Sequence, residues 1–395
     1  MKGLKQMPKV LVVVTDFPPL TGGLSRVLYD ICRALPPEDV VVLAPWGCNY
    51  TFLPGYDLES RRPAREFDAQ QRFRIHRAPY SQKTPLWTFL SVIRFSVIIL
   101  WLLARERPTL VYFAQPFPYA VSGPLIRLLG VPYVLHTHGT ELLRPRRALA
   151  DIMRRATLRW AFRVIATSQW TRKTLTGMGI DSTKTAVIRP KVDLSQFQCP
   201  GDIEAFKGKE DLAGKRIILT VARLDMRKGQ HLVIRALPEV LREHPDVVYV
   251  IAGTGPDQQL LQDEVKRCGV SDHVYFPGNR DIVAFYYACD LFIMPSLGES
   301  FGIVYIEASA CGKAVVGSNV GGIPDAVQDG VSGLLVEPNS VDSVTSALKK
   351  LLADPELCAR LGRQGYERVT REFTFNKYAS ELQEFVFEPL QVGHS

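Results

Sequence analysis

Residues 295–316, PSLGESFGIVYIEASACGKAVV, set two glutamates, Glu299 and Glu307, eight positions apart around the turn Ser300-Phe301-Gly302. The apolar run before it reads as a strand, and the run after Gly302 reads as a helix start. A helix start offers unpaired amides, here those of Phe301, Gly302 and Ile303, and the positive end of the helix dipole. Such a turn can hold phosphate or sugar hydroxyls, and flanking carboxylates accept hydrogen bonds from vicinal hydroxyls. Read alone, Glu299 serves equally as a dipole partner and Glu307 as an exposed helix residue.

Three further stretches place reactive side chains after apolar runs. LTVARLDMRKGQ, residues 219–230, sends Arg223 and Lys228 out of a strand-to-helix loop. Arg bridges two phosphate oxygens with its planar fork, and Lys adds a compact charge; alone, the two cations are also consistent with solvated surface. VLHTHGTELL, residues 134–143, ends a strand in His136-Thr137-His138-Gly139. His136 is expected buried and hydrogen-bonded, and His138, beside Gly139, in contact with substrate. Without a third ligand nearby, no metal site is expected. DFPPLTGGLSRV, residues 16–27, places Gly22 and Gly23 before a helix, where bare amides bind anions. It lacks the spaced three-glycine dinucleotide pattern.

These stretches need a scaffold that aims strand ends at one place. Strand candidates fall at 10–14, 40–43, 73–76, 110–113, 133–136, 164–166 and 186–188, then at 216–221, 247–251, 274–276, 291–294, 314–316 and 333–336. Amphipathic segments such as 24–35, 229–242 and 257–268 lie between them. Continuous apolar strands joined by helices predict parallel sheets covered on both faces. The rhythm pauses at 190–214. The expected organisation is therefore a domain over 1–195, a linker over 196–214, a second domain over 215–370 and a C-terminal helix over 371–395 that packs back on the first domain. A chain of 395 residues suits two domains. The net charge of +8 favours anionic partners. Seven cysteines without a paired spacing suit a reducing cytoplasm. The apolar stretch 85–108 approaches membrane-spanning length but contains Arg94, so a buried helix or an interfacial one is expected.

Taken in order, GG after the first strand, HG after a middle strand, R-x4-K opening the second half and E-x7-E enclosing FGI resemble the retaining glycosyltransferases of family 4, the "glycosyl transferases group 1" type. VYFPGNRDIVAFYYACDLFIMPS and VVGSNVGGIPDAVQDGVSGLLVEP extend the likeness over nearly the whole chain. The resemblance implies an α/β GT-B fold: two doubly wound, Rossmann-like domains facing a cleft. It implies that Arg223 and Lys228 bind the donor diphosphate, that Glu299 faces the donor sugar, and that Phe301, Gly302 and Ile303 contribute main-chain contacts. It further implies that Glu307 binds ribose, His138 lies near the transferred sugar, Gly22 and Gly23 approach phosphate and acceptor, and Asn279 and Arg280 hold the base. Catalytic roles fall to His138, Glu299, Arg223 and Lys228.

The implied activity is transfer of a hexosyl group from GDP-mannose or a UDP-sugar, with retention, to a glycolipid or polysaccharide hydroxyl. No cofactor is expected, and the absence of a DxD triplet removes the need for a metal-bridged diphosphate. DFPP-x-x-GG and S-x-[WY]-T-R are similar to the lipid mannosyltransferases of phosphatidylinositol mannoside synthesis. With the cations of 144–163, this gives an expectation of a cytoplasmic protein peripheral to an anionic membrane surface. No nucleic-acid partner is expected. Pro190-Lys191 stand where the family often has Asn-Gly. A nucleotide-sugar epimerase and a non-catalytic nucleotide-sugar binder are the alternative readings.

Overall fold

A computed structural model describes residues 8–19, 23–33, 35–46, 61–79, 85–116, 119–139, 142 and 148–392. The chain divides into two compact units, one of residues 1–189 with 378–395 and one of residues 190–377.

The first unit is built on a parallel sheet in the order β3-β2-β1-β4-β5-β6-β7. Its strands are β1 (Val10–Val13), β2 (Val40–Pro45), β3 (Arg74–Ala78), β4 (Leu110–Phe113), β5 (Tyr133–Thr137), β6 (Arg163–Ala166) and β7 (Thr185–Val187). Alternate residues feed opposite cores, as pleating requires. Val10, Val12 and Val14 join Leu28, Ile31, Tyr378, Leu382 and Val386 on one face. Leu11 and Val13 join Phe95, Ile99, Leu102, Ile126 and Leu158 on the other. The apolar side chains of residues 378–390 thus complete a face of the first sheet.

The second unit carries β8 (Arg216–Val221), β9 (Val247–Ala252), β10 (Val274–Gly278), β11 (Leu291–Met294), β12 (Ala314–Ser318) and β13 (Gly333–Val336), in the order β10-β9-β8-β11-β12-β13. Ile217 and Leu219 enter one core, Ile218 the other. Every strand pairing in both sheets is parallel. In each sheet the order reverses once, between β1 and β4 and between β8 and β11. Such reversals are where loops at strand C-termini part and leave a crevice.

One expectation is revised. Residues 196–214, read as a linker, are built into the second unit. Phe197 and Leu212 are buried in its core, and Asp202 caps the helix Ile203–Lys209 by accepting from the Ala205 amide at 3.0 Å. The segment's polar composition belongs to the outer face of this short helix, not to a free tether. The apolar stretch beginning at Pro85 forms the 22-residue helix Pro85–Glu106, which is neither wholly buried nor free of the sheet. Ser91, Phe95, Ile99, Leu102 and Glu106 face inward, and Glu106 binds Lys9 and Arg74 at 2.9 Å each. Trp87, Phe89, Leu90, Ile93, Val97 and Trp101 are exposed. By length and composition this helix is apolar enough to cross a membrane.

Candidate active site

The loop after β8 contains Arg223, Asp225, Arg227 and Lys228. Asp225 accepts from the Arg227 amide at 3.0 Å and pairs with its guanidinium at 2.7 Å. That guanidinium holds the Asp225 carboxyl down at about 2. Arg223 is exposed on the same loop, and its carbonyl accepts from Gln230 at 3.0 Å. The loop closes at Gly229, whose φ of 79° is left-handed and where a Cβ would overlap the Pro295 carbonyl. Only glycine allows that approach without strain. The packing brings the β8 loop against the β11 loop: the Leu297 amide donates to the Arg227 carbonyl at 2.8 Å.

Lys228 and Glu299 meet there, Nζ to Oε1, as a partly buried ion pair. The fully buried Ser296 hydroxyl donates to the Arg227 carbonyl at 2.9 Å and lies 3.2 Å from Glu299 Oε1. The Glu299 main chain is fixed from behind, where its carbonyl accepts from the Gly322 amide at 2.8 Å. Gly321, at φ 61°, has no room for a Cβ against that carbonyl. The helix Ile303–Ala310 then starts from Gly302. The amides of Phe301, Gly302 and Ile303 enter no turn or loop hydrogen bond among the described residues. Glu307 lies one turn into this helix and accepts from the buried Tyr286 hydroxyl at 3.0 Å. Burial, then Glu307's charge, push the Tyr286 phenol well above its usual value, so it stays a donor.

The structure therefore places Arg223, Lys228, Glu299, Phe301 and Gly302 on the two loops flanking the β8/β11 reversal, and Ile303 and Glu307 in the helix that the second loop leads into. Asn279 follows β10 and donates to Thr254 Oγ1 at 3.2 Å, beyond β9. Arg280 turns to the helix Ile203–Lys209 side, pairing with Glu210 at 2.7 Å and with the Tyr275 hydroxyl. Ser296, Tyr286, Gly229 and Gly321 were not singled out from sequence. The GG of VGGIPD was the signal available for the last.

In the first unit, His136 is buried, with Nδ1 2.8 Å from the Tyr112 hydroxyl, and burial holds its pKa well below the usual range. His138 stacks on it at 4.6 Å and donates from Nε2 to the Ala114 carbonyl at 3.0 Å, at the C-terminal edge of β4 and β5. Gly23 opens the helix Gly23–Arg33, and Gly22 lies outside the described residues. Sequence reading passed over Asp16, just past β1, whose carboxyl is pushed up to about 6 by burial. Among the described residues no group of three or more His, Cys, Asp or Glu side chains is placed to hold a metal ion.

Two doubly wound parallel units in tandem, with ion-pairing loops at the reversal of the second, form the GT-B architecture. Residues 202–368 match Glycosyl transferases group 1, and residues 21–196 match Glycosyltransferase Family 4. The GDP-mannose-dependent alpha-(1-6)-phosphatidylinositol monomannoside mannosyltransferase of Mycolicibacterium smegmatis is 31% identical over 90% of this chain and 92% of its own. The glycogen synthase of Mycobacterium tuberculosis is 29% identical over 94% of this chain and 92% of its own. Among solved structures, HepE of Anabaena in complex with UDP superposes with a TM-score of 0.78 at 22% identity, covering 95% of this chain and 98% of that one. The chain belongs to glycosyltransferase family 4 and is a glycosyltransferase.

Two outcomes follow from the local geometry. Gly229→Ala should destabilise the second unit by about 1–2 kcal/mol from its left-handed backbone alone, with the carbonyl overlap adding to this. A lowered chemical-denaturation midpoint checks it. Asp16, with its folded pKa raised, contributes stability that is whole below about pH 4 and lost as pH rises through about 6. Asp16→Asn should therefore stabilise the first unit at about pH 8 by up to about 3 kcal/mol, seen as a raised unfolding temperature, and leave it unchanged below about pH 4. A pH series of melts measures both limits.

Proposed function

We propose that this glycosyltransferase transfers mannose from GDP-mannose, with retention and without a metal ion, to a phosphatidylinositol-type glycolipid. The observation that carries the reading is the Lys228–Glu299 pair at the β8/β11 reversal, beside the amides of Phe301, Gly302 and Ile303. The mycobacterial relative, a GDP-mannose-dependent phosphatidylinositol monomannoside mannosyltransferase, supports this choice of donor and acceptor. Arg223, Lys228 and the helix start neutralise the departing diphosphate. Glu299 orients the sugar, Glu307 binds ribose, and Asn279 and Arg280 meet the base. His138 and Gly23, with Gly22, serve the transferred sugar and the acceptor side.

In this mechanism the anomeric carbon–diphosphate bond breaks while the acceptor oxygen bonds the same face, and the hydroxyl proton leaves with the diphosphate. Glu299 acts by position and charge on an oxocarbenium-like state, without a covalent intermediate. A panel of nucleotide sugars, with and without phosphatidylinositol lipids and with a strong chelator, tests the whole reading. GDP release from GDP-mannose should require the lipid and survive the chelator. An isomerised nucleotide sugar would mean an epimerase, and loss restored only by magnesium or manganese would end the metal-free mechanism. Lys228→Ala should weaken GDP binding about tenfold or more, as loss of a charge-assisted hydrogen bond does. Glu299→Gln should lower kcat with GDP affinity retained, whereas Glu307→Ala should lose GDP affinity.

We also propose a peripheral site of action on an anionic membrane. The exposed apolar face of helix Pro85–Glu106, flanked by Arg94 and Arg105, supports it. Interfacial helices combine such a face with cations. Sedimentation with anionic vesicles should fall as salt rises, since each nearby cation contributes about 1 kcal/mol that salt screens. Extraction by detergent alone would instead indicate a span.

A further inference from the structure

At the N-terminal edge of the first sheet, opposite the edge that carries Asp16 and His138, lies a pocket of about 590 Å³. Arg127, Arg159, Trp160, Ala161, Phe162, Arg163 and Lys184 line it. The four cations come from four segments: the last turn of helix Gly123–Leu128, the last turn of helix Ala148–Trp160, the start of β6, and the turn Ser182–Lys184 before β7. No carboxylate lines the pocket. Among the described residues, none of Arg127, Arg159 and Lys184 has a carboxylate within ion-pair distance. The neighbouring acid, Asp181, is committed to the Thr183 amide at 2.9 Å and hydroxyl at 2.8 Å.

Arg163 is held in place. It donates from Nε to the Phe385 carbonyl at 3.2 Å and from Nη1 to the Phe162 carbonyl at 3.3 Å, with its guanidinium over both rings at 5.3 and 4.6 Å. The pocket thus has one preorganised guanidinium, two arginines without carboxylate partners, a lysine whose charge also acts on Asp181, and a half-exposed indole from Trp160. A cation at a helix C-terminus complements the dipole there. That accounts for Arg127, Arg159 and Lys184 one at a time, but not for their convergence with Arg163 on one cavity. Four like charges around one space repel one another until an anion joins them.

We propose that this pocket binds a phosphate-bearing anion, at a site separate from the donor loops of the second unit. Arginine forks match tetrahedral phosphate oxygens in pairs, and the cavity has room for a phosphate together with a ring-sized substituent. The phosphate has two chemical sources: a free phosphate compound or a phospholipid headgroup. Leu125, Leu128 and Leu129 next to Arg127, and Ile152 and Met153 on the helix of Arg159, are exposed and would take the lipid's apolar part.

The test uses the full chain carrying Arg223→Ala and Lys228→Ala, so that the proposed donor site does not contribute. One arm is calorimetry with inorganic pyrophosphate at low salt. The other is co-sedimentation with vesicles of phosphatidylcholine, alone or in equimolar mixture with phosphatidylglycerol. Adding Arg127→Gln and Arg159→Gln should weaken binding about tenfold or more in at least one arm. Loss of pyrophosphate binding assigns a free phosphate compound, and loss confined to anionic vesicles assigns a headgroup. The single variant Lys184→Gln should weaken the same arm by about threefold or more, and decides the matter should the double variant fail to fold. Lys207→Gln with Lys209→Gln removes equal charge outside the pocket and should change neither arm by more than about twofold. Unchanged binding in both arms, or an equal loss in that control, overturns the proposal.

Discussion

The reversal of strand order between β8 and β11 is the constraint on which the candidate site depends. One crossover leaves β8 towards β9, and the chain later returns on the other side of β8 to form β11. The loops after these two strands therefore diverge, and the sheet cannot fill the space between them. Three contacts hold the rims in register: Leu297 to Arg227, Ser296 to Arg227, and Lys228 to Glu299. The site is thus a gap in backbone topology braced by one backbone hydrogen bond, one hydroxyl and one ion pair, with few side chains left to choose its chemistry.

Charge bookkeeping at these loops is unusually specific. Arg227 is occupied by Asp225, and Arg280 by Glu210. Lys228 is held by Glu299, the carboxylate that the proposed mechanism assigns to the sugar. In that reading an incoming diphosphate competes with Glu299 for the lysine, because two phosphate charges outweigh one carboxylate at similar distance. Donor binding would then release Glu299 towards the sugar, coupling leaving-group and sugar contacts through a single exchange. The partial burial of both partners, with side chains 26% and 15% exposed, makes the exchange stronger than it would be on open surface.

The fold was legible because strand signals are local. Each of the thirteen apolar runs becomes a parallel strand, with ends that move by a residue or two as caps and turns decide. The Glu299/Glu307 spacing was legible for the same reason, since one turn and one helix connect them. What sequence could not reveal depends on residues far apart along the chain. Gly321 is required by the Glu299 carbonyl, and Arg280 is turned by Glu210, 70 positions away. Asp16 looks like any loop aspartate until burial raises its carboxyl to about 6. The stretch 196–214 looked like a tether because a short helix with one apolar edge has the composition of a loop.

The basic character of the chain changes meaning once it is placed on the fold. Between Pro85 and Val187 stand fourteen Arg and Lys against four Asp and Glu, so the remainder carries no net positive charge within a chain of +8. The same span holds twelve of the sixteen large apolar side chains exposed among the described residues. Helices Pro85–Glu106, Gly123–Leu128 and Ala148–Trp160 all pack on one face of the first sheet, through Phe95, Ile126 and Leu158. A diffuse positive charge would favour polyanions in general. In the proposed reading, cations such as Arg94, Arg105, Arg127 and Arg159, on helices that also display tryptophan, phenylalanine and leucine, would favour a surface that is anionic at its rim and apolar beneath. Nucleic acid offers the first property alone, whereas a phospholipid surface offers both.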